Sequence, residues 1–184
     1  MKLAPIQLIQ VVFKRVRVEL DAQHVPETPI NPLLEAFVFD GIPVSTEFGI
    51  GLVDANDERG QMYLTSLRVV VNNKAPEGKT LPKYSPYLID VEAGGVVLLS
   101  KGAEKLGRAE DLVSVNGASL LWSSIREQVL SLTARMPAGP VTLPTVNFHD
   151  LRHKPDEPGV VPAKSPSIPP KRTAKSSGGR RTAQ

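Results

Sequence analysis

The fold of this chain is decided by residues 84–100, which read YSPYLIDVEAGGVVLLS. Apolar and acidic residues alternate from Ile89 to Glu92, which is the period of a β-strand with one covered face. Gly94 and Gly95 interrupt the alternation, as a bulge or the close approach of another backbone would require. We therefore predict a strand over this whole stretch, with an irregularity at its glycine pair.

Three more strands are predicted before this one, at Leu8–Leu20, Glu47–Asp54 and Met62–Asn72. The turns between the later strands are short and polar, which favours an antiparallel meander over strand–helix–strand units. The second half of the first strand alternates regularly, but its first half carries apolar residues on both faces. Such a segment is typical of a strand that another subunit or a ligand covers.

A long helix is predicted after the strands, at residues 119–136, which read SLLWSSIREQVLSLTARM. Its apolar residues recur at the spacing of a helix with one buried face: Leu121, Ile125, Val129, Leu132 and Met136. We expect Ser119 to cap the N-terminus of this helix, and Asn116 with Gly117 to end a separate helical segment before it. The predicted fold class is α+β, a four-stranded antiparallel sheet with helices packed on one face.

Charge divides the 184-residue chain into two parts. Residues 152–184 hold eight Lys/Arg and two acidic residues, whereas residues 1–151 hold 14 basic and 17 acidic residues. The C-terminal part is also rich in proline, with six between Pro155 and Pro170. Such a composition buries too little apolar surface to offset its chain entropy. We predict a folded domain over residues 1–151 and a disordered, basic, Pro-rich tail over residues 152–184.

The sequence offers little for catalysis or metal binding. The absence of cysteine excludes disulfides and thiolate metal sites. His149 and His153 are four residues apart, but Pro155 ends that segment at once and the remaining histidine lies in a distant loop. No nucleophile is paired with an oriented base, and no Gly-rich phosphate loop occurs. We predict a non-enzymatic protein with no catalytic residues, metal or cofactor.

Location and nucleic-acid binding are also addressed by the sequence. The N-terminus lacks the apolar run of a signal peptide, and no stretch approaches the roughly 20 apolar residues of a membrane helix. This predicts a cytoplasmic protein without membrane insertion. The basic tail suits nucleic acid, but no aromatic residue follows Phe148 to stack on bases. We therefore keep nucleic-acid binding only as an alternative.

The connection at residues 21–46 contains four prolines, yet it is unusually apolar. A loop so long and so apolar is usually functional or packed on the domain. Together with the first strand, it suggests a groove for extended apolar peptide. The predicted client-binding residues are the aromatic ones of these segments and of the helix: Phe13, Phe37, Phe39, Phe48 and Trp122.

Three later segments follow one another as in a known family. Residues 87–96, YLIDVEAGGV, resemble the fourth strand of SecB-type export chaperones, in which an acidic alternating strand runs into a Gly-Gly pair. Arg126 with Glu127 is similar to the Arg-Glu pair of the SecB main helix. Residues 144–151, PTVNFHDL, resemble the Pro-x-Asn-Phe-x-x-Leu segment that follows that helix. The resemblance to the SecB family covers about residues 6–151.

This resemblance implies a homotetramer, a dimer of dimers, that binds unfolded precursor proteins without ATP or cofactor. It also implies delivery of these clients to the SecA ATPase and the Sec export pathway. The positions matching the family's motor-docking patch are Glu19, Leu88 and Asp90. Those matching its oligomer interface are Ile89, Val91 and Ala93.

Two features depart from the family pattern. Arg15 stands where the family carries an acidic residue, and a basic Pro-rich tail replaces the family's usual acidic C-terminal end. These departures leave open a specialised SecB-like chaperone dedicated to one partner, such as a toxin–antitoxin pair. A basic-tailed nucleic-acid-binding protein is the alternative of another class.

Overall fold

The computed structural model describes residues 4–31, 37–75 and 77–153. The chain divides into the units Met1–His153 and Lys154–Gln184, and the described residues all lie in the first. The predicted disordered tail begins at Arg152, so all of it except Arg152 and His153 lies outside the described residues. The described residues form four strands, one long helix and two short 3-10 helices: β1 (Ile6–Leu20), β2 (Ser45–Asp57), β3 (Gly60–Val71), β4 (Tyr87–Ser100), α1 (Ala109–Thr133), and the 3-10 helices Ala103–Leu106 and His149–Leu151.

The four strands form one antiparallel sheet in the order β1-β4-β3-β2. Because α1 packs on one face of this sheet, the predicted α+β class and antiparallel sheet are confirmed. β2, β3 and β4 follow one another as a meander. β1 instead pairs with β4, because the long connection at residues 21–44 carries the chain from one edge of the sheet to the other.

Two irregularities in β1 explain why its first half has apolar residues in both phases. Its pairing with β4 shifts by one residue at Ile9 and again at Lys14. Each shift is a β-bulge, which inserts a residue and resets the alternation of faces. As a result one face of β1 is apolar throughout and lies opposite the helix-facing residues of β4: Ile6, Leu8, Val11, Phe13, Val16, Val18 and Leu20.

The glycine pair of β4 meets β1 between these two bulges. The expected close approach is present at Gly95, where a Cβ would lie 2.8 Å from Leu8 Cδ1 and 3.0 Å from the Gln10 carbonyl oxygen. Leu121 of α1 crowds the same point at 3.0 Å. The bulges themselves are in β1, so the irregularity predicted for β4 belongs to its neighbour.

α1 runs without a break through Asn116 and Gly117, where the sequence predicts a helix end. Gly117 is buried, and a Cβ there would lie 3.2 Å from Thr65 Cγ2. Its missing side chain thus lets the helix backbone pack closely on β3, and this packing overrides the low helix propensity of glycine. Ser119 is not an N-cap, since its hydroxyl donates to the carbonyl four residues earlier. The N-cap position is Arg108.

The main core lies between α1 and the central strands. It is built from fully buried side chains of β3, β4 and α1: Leu67, Val69, Val71, Tyr87, Ile89, Val91, Ala93, Leu121, Ile125 and Val129. α1 packs on β1, β3 and β4, but β2 lies beyond its cover. On the helix side of β2, Ile50 and Leu52 are 39% and 55% exposed.

Candidate functional site

The connection between β1 and β2 forms a strap, residues 21–44, of which residues 32–36 lie outside the described part. The start of the strap is fastened to the β3–β4 loop. Asp21 Oδ2 accepts a hydrogen bond from Asn73 Nδ2 and lies beside His24 Nδ1, both at 2.8 Å. The His24 ring stacks on Tyr84 with centroids 4.0 Å apart. These bonds, that of Asn73 first, hold the pKa of Asp21 below its usual range.

The middle of the strap lies on the segment that follows α1. The Ile30 N–H donates to the Ala138 carbonyl at 3.1 Å. Gly139, with φ +84°, makes room for this contact, since a Cβ there would lie 2.5 Å from the Ile30 carbonyl oxygen. The Tyr87 hydroxyl donates to the Gly139 carbonyl at 2.8 Å. The strap is therefore held to the core of the sheet through the turn after α1.

The end of the strap forms one wall of an open groove of about 300 Å³. Phe37 and Phe39 meet edge to face in this wall, with ring centroids 5.0 Å apart. Phe39 is buried and ties the wall to the core, whereas Phe37 is half-buried and Val38 is 52% exposed. The lining is mostly apolar: Phe37, Val38, Phe39, Asp40, Ile42, Val44, Thr142 and Pro144.

The groove leads into the helix-facing row of β2. Val44 lines the groove and directly precedes the strand, and Phe48, Ile50 and Leu52 follow on the same side. From Val44 to Leu52 an extended chain spans about 26 Å. β2 is an edge strand, and no strand of the described residues pairs with its outer side. We call this surface the apolar strip: Phe37, Val38, Phe39, Ile42, Val44, Phe48, Ile50, Leu52 and Pro144.

Three of the predicted client-binding residues, Phe37, Phe39 and Phe48, lie along the apolar strip. Trp122 is not among the residues that line the groove, and its side chain is buried in the main core. Its Nε1 donates to the Pro144 carbonyl at 3.0 Å, from behind the groove wall. The tryptophan therefore supports the wall and is part of the core.

Phe13 is also separate from the strip. It lies on β1, at the opposite edge of the sheet, beside a different groove of about 290 Å³ between β1 and α1. The sequence interpretation placed both edges in one site because it could not give the strand order. The strip also contains residues that the interpretation missed, notably Ile50 and Leu52. Ile50 and Leu52 alternate with Gly49 and Gly51 in the sequence, and this alternation could have identified them as residues of one apolar face of β2.

The sheet face away from α1, which we call the outer face, carries paired charges at one end. Arg68 donates to Asp90 through Nε–Oδ1 at 2.9 Å and Nη2–Oδ2 at 3.0 Å. Arg15 Nη1 adds a third bond to Oδ2 at 2.8 Å. The bonds from Arg68, and then from Arg15, lower the pKa of Asp90 to about 2. Glu19 is paired with Arg17 at 2.8 Å.

The residues predicted as a motor-docking patch are brought together on this face. Glu19 lies opposite Leu88 in the sheet, and Asp90 is two residues further along β4. Both carboxylates are bonded to arginines, so neither presents a free charge. Ion pairs join four basic and four acidic residues here: Lys14, Arg15, Arg17, Arg68, Glu19, Glu47, Asp90 and Glu92. These eight residues are electrically balanced.

The residues predicted as an oligomer interface lie elsewhere. Ile89, Val91 and Ala93 are 2%, 0% and 0% exposed, because they face α1 and not the outer face. Their side chains are covered within the single chain and are not available to a second copy. The prediction therefore chose a covered face of β4.

Exposed apolar residues are found instead on β1, the free edge opposite β2. Ile9, Val12 and Val16 are 46%, 52% and 44% exposed. Val12 lies opposite Gly94 on the outer face, whereas Val16 lies on the helix side. This edge thus has uncovered apolar surface on both faces.

Within residues 4–31, 37–75 and 77–153, no group of three or more His, Cys, Asp or Glu is arranged to hold a metal ion. The His153 ring lies 2.8 Å from Asp111, not beside His149. Over the same ranges, no helix is both long and apolar enough to cross a membrane.

The chain is thus an α+β protein whose sheet has one face covered by a helix. An apolar strip long enough for an extended peptide of about eight residues lies at the free β2 edge. The solved structures that are similar to the chain include the following two. One is a SecB-like chaperone of Mycobacterium tuberculosis in complex with a ChAD peptide from the HigA1 antitoxin, at 16% identity and a TM-score of 0.40, covering 77% of this chain and 91% of that chain. The other is a protein of unknown function from Streptococcus agalactiae, at 15% identity and a TM-score of 0.41, covering 76% and 97%. No protein-family model and no curated protein matches the chain.

Proposed function

We propose that this protein is an ATP-independent holdase chaperone that binds extended, unfolded polypeptide along the apolar strip. The observation that carries the proposal is the exposure of Ile50 and Leu52 on an edge strand that continues the groove of Phe37 and Phe39. A row of exposed apolar side chains beside unpaired backbone is typical of a binding surface. The resemblance of residues 84–151 to the SecB family supports the same function.

A client segment would bind as an additional strand on β2. Its backbone would pair with the free edge, and alternate side chains would contact the strip. Backbone pairing does not read sequence, and apolar contact depends on area, so any apolar segment of about eight residues fits. Binding of this kind is an equilibrium and needs no ATP hydrolysis by the chain.

We further propose that the chain assembles as a homotetramer, a dimer of dimers, in which the β1 edge forms one of the two kinds of interface. The exposed side chains of Ile9, Val12 and Val16 support this surface, together with the adjoining groove between β1 and α1. Assembly at β1 would cover the apolar side chains that this edge strand exposes. It would leave β2 and the apolar strip free for clients.

The SecB resemblance suggests delivery of cytoplasmic clients to SecA for export. The balanced ion pairs of Glu19 and Asp90 favour a second candidate, a SecB-like chaperone dedicated to one partner such as a toxin–antitoxin pair. An acidic docking patch attracts a basic partner through unpaired charge, and these carboxylates are already paired. A pull-down with SecA and with the products of neighbouring genes distinguishes the two candidates.

Aggregation of an unfolded client tests the proposed function. Chemically denatured citrate synthase is diluted into buffer without ATP, and its light scattering is followed with increasing amounts of the full chain. We expect delayed and reduced scattering at a chain-to-client ratio near one. Scattering that is unchanged at a large excess of the folded chain would rule the function out.

A further inference from the structure

Lys83, in the β3–β4 loop, reaches the strap and contacts it twice. Its Nζ donates to the Val38 carbonyl at 2.7 Å. The same atom lies 4.4 Å from the centre of the Phe37 ring, within the range of a cation–π contact. Phe37 and Val38 both line the groove. A single side chain from outside the strap therefore contacts both the backbone and the ring of the groove wall.

The residue before Lys83 fixes the two segments against each other. Gly41 of the strap has φ +79°, and a Cβ there would lie 2.6 Å from Pro82 Cγ. Pro82 thus brings the loop into contact with the strap backbone, next to the point where Lys83 extends over the ring. This contact fixes the position of the strap backbone at Gly41. It does not fix the orientation of the Phe37 side chain, which Lys83 contacts.

We propose that Lys83 is a positioning residue of the client groove, which holds the Phe37 ring ready for a client. This inference rests on the proposed function. Among the described residues, the only other aromatic contact of the Phe37 ring is the edge contact with Phe39, and one side of the residue packs against the main core. Without Lys83, the half-buried ring gains rotamers, and a client has to restrict them when it binds. A wall that is ordered before binding avoids that entropic cost.

Lys83→Met tests the proposal, because methionine keeps an aliphatic stem and removes both the donor and the charge. The probe is fluorescein-labelled, reduced and carboxymethylated α-lactalbumin, which is permanently unfolded, and its Kd is measured by anisotropy. Loss of the hydrogen bond and the cation–π contact should weaken binding by about five- to fifty-fold. Lys83→Arg retains charge and donors, and we expect it to restore most of the affinity.

Lys79→Met is the matched control. Lys79 lies in the same loop and is exposed, and its side chain makes no hydrogen bond or ion pair with the described residues. Lys79→Met removes the same charge, but Lys79 does not line the groove. The Kd of this variant should therefore stay within about two-fold of the wild-type value. An equal loss in both variants would mean that long-range charge, and not positioning, is responsible, and would overturn the proposal.

A double-mutant cycle with Phe37→Leu identifies the ring as the target of Lys83. The effect of Lys83→Met should shrink in the Phe37→Leu background, since no ring is left to orient. Strictly additive effects would overturn the proposal. Lys83→Gln, which loses the charge but keeps a donor, replaces the methionine variant if that variant does not fold.

The proposed function and the positioning role of Lys83 predict different failures. All variants are compared at a temperature at which circular dichroism shows them fully folded. If the wild-type chain does not bind the probe, the proposed function fails. If the wild-type chain binds and folded Lys83→Met binds equally well, the positioning role is wrong and the proposed function stands.

Discussion

Arg68 of β3 and Asp90 of β4 form a two-bond ion pair across the outer face, with N···O distances of 2.9 and 3.0 Å. Arg15 of β1 reaches the same carboxylate from the other side at 2.8 Å. One acidic side chain thereby joins three strands. Because it accepts three bonds from two cations, its charge is used within the sheet and is not available to a partner.

Asp90→Asn should lower the free energy of unfolding by about 1–2 kcal/mol at pH 7, because it leaves two arginines without their shared partner. The pKa of Asp90 is lowered from 3.8 to about 2 in the folded chain. Its stabilising effect is therefore fully present above about pH 4 and is lost as the pH falls to 2. Urea unfolding at pH 7, 5, 3 and 2 measures the difference.

Glu58→Gln is the control for this prediction. Glu58 lies in the β2–β3 turn, is exposed, and makes no side-chain ion pair with the described residues. Its substitution should change stability by less than about 0.5 kcal/mol at every pH. A difference between wild type and Asp90→Asn that did not shrink towards pH 2 would contradict the role of the ion pair.

Gly95→Ala should destabilise the chain by about 1–3 kcal/mol, because the added Cβ would meet Leu8, Leu121 and the Gln10 carbonyl at 2.8–3.0 Å. Gly51→Ala is the comparison, since a Cβ on that residue of β2 has nothing within 4 Å. We expect it to be neutral or slightly stabilising. Thermal unfolding of both variants measures the difference, and equal melting temperatures would show that β1 and β4 are less closely packed than described.

Thr133→Val should cost about 1–3 kcal/mol, because the Thr133 hydroxyl accepts a bond from the buried Val141 N–H at 3.0 Å. The same hydroxyl donates to the Val129 carbonyl at 2.8 Å. Valine has nearly the same shape, so the loss isolates the unsatisfied N–H. Thr133→Ser keeps the hydroxyl and should recover most of the stability in the same urea titration. Recovery of none of it would assign the effect to packing.

Leu52→Glu should weaken binding of an unfolded client by about ten-fold or more, because a carboxylate in the strip would be desolvated by an apolar segment. Ile50→Glu should act in the same direction. Leu106→Glu is the matched control, since Leu106 is 66% exposed in the 3-10 helix and lies outside the strip. Anisotropy with the labelled probe gives the three affinities. Equal weakening by all three variants would show that clients do not bind specifically along β2.

Val12→Glu and Val16→Glu should reduce the molar mass in solution towards that of the single 19.9 kDa chain. Each puts a charge on the uncovered apolar edge of β1, where a second copy would otherwise pack. Val25→Glu, at a residue that is 40% exposed in the strap, is the control and should leave the mass unchanged. Light scattering coupled to size exclusion measures all of them. A wild-type monomer would exclude assembly through β1.

Regular alternation allowed the central strands to be predicted from the sequence alone. Leu67, Val69 and Val71 repeat at every second residue and are all buried. The apolar stripe of the helix was equally clear, because Leu121 and Ile125 recur at helical spacing. Local patterns of this kind depend only on residues that are close in the sequence. In the folded chain the apolar residues of both patterns are buried, as predicted.

Features that depend on distant residues could not be predicted in this way. The bulges at Ile9 and Lys14 exist only through pairing with β4, and they change the alternation along β1, so that residues of one face appear in both phases of the sequence. From the sequence alone, Gly117 predicts the end of a helix. In the structure the helix continues, because Gly117 packs closely against Thr65 of β3. The strand order separates Phe13 from Phe48, although both are aromatic residues of strands. In each case a long-range contact overrides the local signal.

The bulges have a consequence for how the sheet ends. β1 carries extra residues at Ile9 and Lys14, and β2 is irregular at Val53, so both outer strands are interrupted. A straight, regular edge is a template on which copies of a chain can stack without limit into fibrils, and bulges twist such an edge away from that geometry. The bulged edges therefore resist open-ended polymerisation, while the regular part of β2 would still accept the short guest strand of the proposed function. If the chain binds unfolded polypeptide as proposed, this protection would matter to it in particular.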